Sequence, residues 1–229
     1  VQVNDTAGFS ICRFTGTGST LRFAHGQSGA PEWIFAKRLG GSSFATSVYH
    51  HKTNLTTGDH YYLHFNETDA KVDTSSSSSN WRTVTSGYVE IGDNGNTNAS
   101  SVDTIAYCWR GIPGFSKFGV YIGNGNSNGP TVFTGFKPSL LILKCSSNAG
   151  TNWEIRDNLR TAGGNPITQV LYPNLNSSES TTDNIDFLSN GFKIRSTGSG
   201  RNDNGLIYIY MAFAEHPFIG DGTNPCTAR

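Results

Sequence analysis

The chain contains an internal repeat. The segment FTGTG at residues 14–18 and the segment PEWIFAK at residues 31–37 recur 107 residues later, as YIGNG at 121–125 and PSLLILK at 138–144. Later segments repeat at an offset of 104, so the two copies differ in length by only a few loop residues. A copy of about a hundred residues can bury its own core, which the shorter units of a solenoid cannot do. The repeat therefore predicts two domains in tandem.

Both halves are predicted to be β structure. Short apolar or alternating segments recur at intervals of about ten residues and are bounded by Gly, Asn or Ser clusters, a pattern typical of sandwiches and barrels. Residues 104–109 and 207–213, the last predicted strand of each half, are apolar on both faces, which places them in the centre of a sheet. One short helical turn is predicted at 177–181, where Asn176 can cap it.

The domain prediction follows from the repeat and the strand pattern together. We expect an all-β chain of two tandem β-sandwich, jelly-roll-like domains at residues 1–115 and 116–219. Residues 220–229 have little to bury and are predicted to form a C-terminal surface tail. The four cysteines include no CxxC pair, so free buried thiols are expected rather than a zinc site.

The charge balance excludes several classes of partner. Lys plus Arg and Asp plus Glu both number 17, so the formal net charge is zero and no net field attracts nucleic acid or an anionic membrane. No run of about eighteen apolar residues occurs, so membrane insertion is not expected. The charged fraction is only 15%, and Gly, Ser, Thr and Asn fill the predicted loops. Such neutral polar loops favour contact with carbohydrate.

Trp81 and Trp153 are the aromatic candidates for sugar contact, because they lie near loops instead of at the repeated core positions. An aromatic ring can lie against a sugar face, but the same two side chains would equally well cap the ends of the sandwiches. Polar residues at predicted loop positions complete the candidate ligand-binding set: Asp93, Asn96, Arg201 and Asp203.

Metal binding is considered at two places. The loops at residues 93–96 and 202–205 offer oxygen ligands that suit Ca²⁺, but each has one carboxylate, so calcium binding would be weak and a turn-forming role for Asn and Asp is favoured. Histidines are dense between residues 50 and 64, but on one strand His60 and His64 would stand about 13 Å apart, too far for a single ion. We therefore expect no metal and no other cofactor, apart from the weak calcium possibility.

Catalysis is not expected. Glycoside hydrolysis needs two carboxyl groups that face each other across a groove. The nearest candidates are Glu154 with Asp157 and Asp183 with Asp186, and neither spacing is specific or recurs in the other half of the repeat. Among the functions considered, a glycan depolymerase therefore comes last.

Four segments carry a resemblance to a known family: FSKFGVYIGNG at 115–125, FTGFKP at 133–138, LSNGFKIR at 188–195 and YMAFAEHPF at 210–218. Together they resemble a domain of unknown function that is common in structural proteins of marine bacteriophages and cyanophages. The first half of the chain is similar to the partner domain usually found just upstream. In that family these domains often end a long protein, so the resemblance implies a C-terminal fragment.

The resemblance implies a location on the virion and assigns no catalytic residues. It favours a distal tail-fibre module that adheres to a host cell-surface glycan, in contact with other virion proteins. A homo-oligomer, possibly a trimer in the manner of phage fibres, is the expected assembly. The alternative is a capsid decoration or head-fibre protein that recognises no host.

Overall fold

The computed structural model describes residues 1–41, 44–53, 61–73, 80–161 and 164–217. The chain divides into two compact units, Val1–Gly111 and Ile112–Arg229. The described residues form antiparallel sheets without a helix, so the all-β prediction is confirmed. Nowhere in these residues is there a helix long and apolar enough to cross a membrane. The predicted tail at 220–229 lies outside the described residues.

The described residues of the first unit form ten strands. Their bounds are β1 Gln2–Asn4, β2 Phe9–Thr15, β3 Leu21–Phe23, β4 Trp33–Arg38, β5 Ser47–His50, β6 Tyr61–His64, β7 Val72–Asp73, β8 Thr83–Val84, β9 Val89–Ile91 and β10 Asp103–Trp109. They form a seven-stranded sheet in the order β1-β2-β10-β4-β5-β6-β7 and a three-stranded sheet in the order β3-β9-β8.

Side chains from both sheets of the first unit share one core. Val89 and Ile91 of the small sheet lie in the same buried cluster as Ile34, Ala106 and Cys108 of the large sheet. Alternation along β10 explains this, because every second residue of that strand is buried. Two sheets that bury one shared core make a β-sandwich.

Eight strands are formed by the part of the second unit that the structure describes. Their bounds are β11 Ser116–Ile122, β12 Thr131–Phe133, β13 Pro138–Cys145, β14 Glu154–Asp157, β15 Ile167–Val170, β16 Ser180–Leu188, β17 Gly191–Ile194 and β18 Ile207–Ala214. They form two four-stranded sheets, in the orders β11-β18-β13-β14 and β12-β17-β16-β15. Leu141 and Tyr210 of one sheet share a buried cluster with Ile185 and Phe192 of the other.

The last strand of each unit is central, as predicted from its apolar faces. β10 lies between β2 and β4, and β18 lies between β11 and β13. The pairing register is also the same in the two units. Trp109 lies opposite Trp33 in the first unit, and Phe213 lies opposite Leu140 in the second, at the positions that the repeat aligns.

The helical turn predicted at 177–181 is wrong. β16 begins at Ser180, which pairs with Val170, and Thr181 pairs with Gln169. The backbone groups of this segment are therefore used in a sheet ladder, which overrides the weak local capping signal. The cysteine prediction holds for the described residues, in which Cys12, Cys108 and Cys145 are free and buried.

Candidate functional site

Two polar loops of the second unit, at residues 123–129 and 198–206, are hydrogen-bonded to each other, and we call them the Asn202 loop pair. The first loop follows β11, and the second precedes β18, the strand that pairs with β11. Adjacent antiparallel strands bring these two loops to the same end of the sheet. Residues 124–128 are exposed, whereas Asn202 is fully buried.

Asn202 holds the loop pair together through its side-chain amide. Its Oδ1 accepts the backbone N–H of Asn124 at 2.9 Å, and its Nδ2 donates to the carbonyl oxygens of Asn126 at 2.7 Å and Ser196 at 2.8 Å. These three partners are backbone groups in two different segments. One buried carboxamide thus satisfies backbone groups that the turn itself cannot pair.

Close approach of the two loops explains the glycines of the repeated motif. A Cβ on Gly123 would overlap the backbone carbonyl of Asp203. Gly125 has φ +66°, in the left-handed region, and its N–H donates to the carbonyl oxygen of Asn202 at 2.8 Å. The Gly-Asn-Gly sequence is therefore a tight turn that packs against a second loop.

Residues 124–128, which we call the rim of the loop pair, are exposed, carry no charged side chain and form an ordered turn. The N–H of Asn126 donates to the Oδ1 of Asn124 at 3.0 Å, and the N–H of Asn128 donates to the Oδ1 of Asn126 at 2.8 Å. Successive side-chain to backbone bonds of this kind stabilise a turn locally. The rim therefore presents amide and hydroxyl groups on a backbone that is already ordered before any ligand binds.

Asn98 makes the same bonds in the first unit, at the position that the repeat aligns with Asn202. Its Oδ1 accepts the N–H of Thr17 at 2.8 Å, and its Nδ2 donates to the carbonyl oxygens of Gly92, at 2.7 Å, and Ser19. A Cβ on Gly16 would overlap a backbone carbonyl of the facing loop, as at its counterpart in the second unit. Both units thus use one buried asparagine for the same purpose.

Arg201, a predicted ligand residue, is part of a buried ion cluster beneath the Asn202 loop pair. The side chains of Glu154, Arg156 and Arg201 are 2%, 0% and 4% exposed. Arg201 Nε lies 3.1 Å from both carboxylate oxygens of Glu154, and Arg156 donates to the same carboxylate at 3.2 Å. Burial lowers the pKa of Arg156. The guanidinium of Arg201 therefore faces the interior and supports the loop from below.

Trp81 and Trp153 are both buried, with 1% and 0% of their surface exposed. Trp81 packs against Tyr49 with ring centroids 5.9 Å apart, and the backbone N–H of Trp153 donates to the Oδ1 of Asn174 at 3.0 Å. A sugar could stack on either ring only if the surrounding packing opened. The burial of both rings agrees with the alternative prediction, in which these side chains cap the ends of the sandwiches.

The remaining predicted residues occupy loop surfaces. Asp93 is exposed and Asn96 is half-buried in the first unit, and Asp203 is half-buried in the Asn202 loop pair. The backbone N–H of Asp203 donates to the hydroxyl of Tyr208 at 2.8 Å. Within the described residues, neither aspartate belongs to a group of three or more potential metal ligands. Calcium binding at these loops stays a prediction.

The histidine-rich segment does not converge on one point among the described residues. His50 is fully buried, and its burial lowers the pKa of its ring well below the usual value. The Nε2 of its neighbour His51 lies 3.5 Å from the carboxylate of Glu32. His60 lies outside the described residues, so its predicted separation from His64 is still a prediction.

Three of the four carboxylates considered for hydrolysis, those of Glu154, Asp157 and Asp186, are engaged with cations, and the side chain of Asp183 lies outside those that the structure describes. Glu154 points into the core, whereas Asp157 accepts the backbone N–H of Arg160 at 2.9 Å from the opposite face of the same strand. Asp186 pairs with Arg195 at 2.5 Å. Neither Glu154 nor Asp186 faces a second carboxylate across a groove in these contacts. The absence of catalysis stays a prediction.

Residues 1–217 match the model of a protein family described as a domain of unknown function (DUF7483). The comparison with curated proteins found no match. Among solved structures, the crystal structure of the major capsid protein P2 from bacteriophage PM2 is similar over 92% of this chain and 100% of that chain, with 13% identity and a TM-score of 0.24. A TM-score this low carries no argument about fold or function.

Proposed function

The chain belongs to the DUF7483 family of domains of unknown function, and from that premise we propose that it is a bacteriophage virion surface protein, a distal tail-fibre module that binds a host surface glycan without converting it. The virion setting is supported by the resemblance carried by segments such as 115–125 and 188–195. The glycan-binding role is supported by the chemistry of the loops.

The observation that carries the binding role is the ordered, neutral rim of the Asn202 loop pair. Residues 124–128 expose asparagine and serine side chains on a backbone held by a buried carboxamide. Carboxamides and hydroxyls both donate and accept hydrogen bonds, as sugar hydroxyls do. Because the rim is ordered before binding, the protein loses less conformational entropy on binding than a flexible loop would lose.

The buried positions of Trp81 and Trp153 shift the proposed site from the aromatic residues to the loops. A site that lacks aromatic stacking binds each sugar weakly, since a typical neutral hydrogen bond contributes only about 0.5–1.5 kcal/mol. Several copies on one oligomeric fibre would convert weak single contacts into strong attachment. The proposed mechanism is thus multivalent adhesion by rigid loops, with no bond made or broken.

A glycan array probed with the purified chain tests this proposal, with and without EDTA. Ser127→Ala and Asn128→Ala remove rim groups but leave the anchoring bonds in place, so the double variant should bind about tenfold more weakly. Asn176→Ala, an exposed asparagine outside the loop pair, is the matched control and should bind like the wild type. Absence of binding to every glycan on the array, or wild-type binding by the double variant, would argue against the proposal.

A second candidate function, assembly onto the virion without host recognition, is favoured by one surface. β11 is an edge strand, and its Ile122 lies opposite Ile207 of β18, with 62% and 39% of their surfaces exposed. An exposed apolar edge strand is suited to pairing with another protein. A chain that binds purified phage heads but neither host cells nor any glycan would support this role in place of adhesion.

A further inference from the structure

The turn after β6 gathers side chains that suit a metal ion. β6 ends at His64, and the N–H of Phe65 donates to the carbonyl oxygen of Thr46 at 2.8 Å, so the sheet fixes the position of the strand end. The Oδ1 of Asn66 accepts the N–H of Thr46 at 2.8 Å. The chain then turns back, and the N–H of Glu67 lies 3.4 Å from the carbonyl oxygen of His64.

Three potential ligands meet at this turn. A ring nitrogen of His64 and carboxylate oxygens of Glu67 and Asp69 all lie within 4.8 Å of one another. The Nδ1 of His64 is 2.8 Å from the Oε2 of Glu67. Ligand atoms about 2.0–2.2 Å from a Zn²⁺ ion lie roughly 3 to 4 Å apart. Small rotations of the side chains, which separate His64 slightly from Glu67 and bring any longer distance within this range, would therefore complete the coordination.

The imidazole ring is oriented by residues outside this set. The ring of Tyr62 lies 5.0 Å from that of His64, and the side-chain amide of Asn96 lies 3.4 Å from its Nε2. Metal-binding histidines usually bond through their second nitrogen to an outer partner, which sets the tautomer and the ring orientation. The amide of Asn96 can fill that role, because its oxygen accepts an N–H when the carboxamide is turned.

We propose that His64, Glu67 and Asp69 form a binding site for a divalent transition-metal ion of the Zn²⁺ type. An imidazole nitrogen together with carboxylate oxygens favours such an ion over Ca²⁺, which prefers oxygen ligands throughout. Three protein ligands leave a coordination position for water or for a group from a binding partner. Glu67 is partly exposed, at 41% of its side chain, so the ion would reach the site from solvent.

The test is isothermal titration of the EDTA-treated full chain with Zn²⁺, and in parallel with Ca²⁺. We expect one Zn²⁺ per chain and no saturable Ca²⁺ binding at this site. His64→Gln and Glu67→Gln should each weaken the Zn²⁺ affinity at least about tenfold. His216→Gln, which removes an exposed histidine of the second unit, is the matched control and should leave the affinity unchanged.

A second readout is the visible absorption of bound Co²⁺, which reports coordination by protein ligands and should disappear in His64→Gln. Absence of stoichiometric Zn²⁺ binding by the wild type would overturn the proposal, as would wild-type affinity in a folded His64→Gln variant. If that variant does not fold by circular dichroism, Asp69→Asn replaces it, because Asp69 is exposed. Unchanged Zn²⁺ affinity in folded Asp69→Asn would overturn the proposal equally.

Discussion

Asn98 and Asn202 occupy the same hydrogen-bonding position in the two units, each accepting a backbone N–H from the facing turn through its Oδ1, at 2.8 and 2.9 Å. Each also donates from Nδ2 to carbonyl oxygens of two separate segments. Both side chains are fully buried. In each unit, an asparagine near the end of the repeat thus holds the Gly-x-Gly turn near the start of the same repeat.

Asn202→Ala should destabilise the second unit by about 1–3 kcal/mol, because it leaves the buried carbonyl oxygen of Ser196 and two partly buried backbone groups of residues 124 and 126 without this partner. Urea unfolding followed by circular dichroism measures the loss. Asn204→Ala removes an exposed amide from the same loop and should change stability by less than about 0.5 kcal/mol. Equal effects of the two substitutions would contradict the anchoring role.

Gly123→Ala should lower the free energy of unfolding of the second unit by about 1–3 kcal/mol. The added Cβ would overlap the backbone carbonyl of Asp203, which belongs to the facing loop. Gly87→Ala is the control, because a Cβ there meets no atom within 4 Å. Thermal unfolding of the two variants in parallel distinguishes them. A Gly123→Ala protein as stable as the wild type would show that the loops can separate at no cost.

Glu154→Gln should lower stability by about 3–5 kcal/mol, because it removes the carboxylate that pairs with two buried guanidinium groups, Arg156 and Arg201. Asp186→Asn breaks the pair with Arg195, whose side chain is 44% exposed, and should cost less than about 1 kcal/mol. Denaturant midpoints at neutral pH compare the two. Similar small losses would mean that the buried cluster contributes little.

Acidification below about pH 6.5 should destabilise the first unit. Burial lowers the pKa values of His50 and His25, so the unfolded chain binds protons in this range that the folded chain does not. Stability therefore falls as pH falls, by up to about 1.4 kcal/mol per pH unit for each histidine. Urea unfolding between pH 7.5 and 5 measures the slope, and His50→Asn should reduce it. A flat profile in the wild type would refute this account.

The sheets were predictable from sequence because their signals are local. Alternating or wholly apolar segments mark β10 and β18, and the repeat supplies the matching register of the two units. The segment at 177–181 was mispredicted because a capping residue is a weak signal beside the pairing of β16 with β15. Tertiary pairing decided the structure there.

The site was less predictable because burial depends on packing between distant strands. Trp81 and Trp153 lie near loops in sequence, yet both are enclosed. Glu154 and Arg156 are buried on one side of β14, with Ile155 on the other side. Two charged residues at i and i+2 normally indicate the solvent-facing side of a strand, so the sequence did not predict that these two are buried. The spacing His-x-x-Glu-x-Asp that begins at His64 was the available signal for the proposed metal site.

The anchoring of the Asn202 loop pair has an evolutionary consequence. The anchoring residue, Asn202, lies outside residues 124–128 and its side chain forms hydrogen bonds with backbone atoms of that segment. The side chains of Ser127 and Asn128 take no part in the bonds that hold the turn, so they can be exchanged while the conformation that displays them is inherited unchanged. A lineage that has to follow a changing ligand could diversify these two positions without a new scaffold each time.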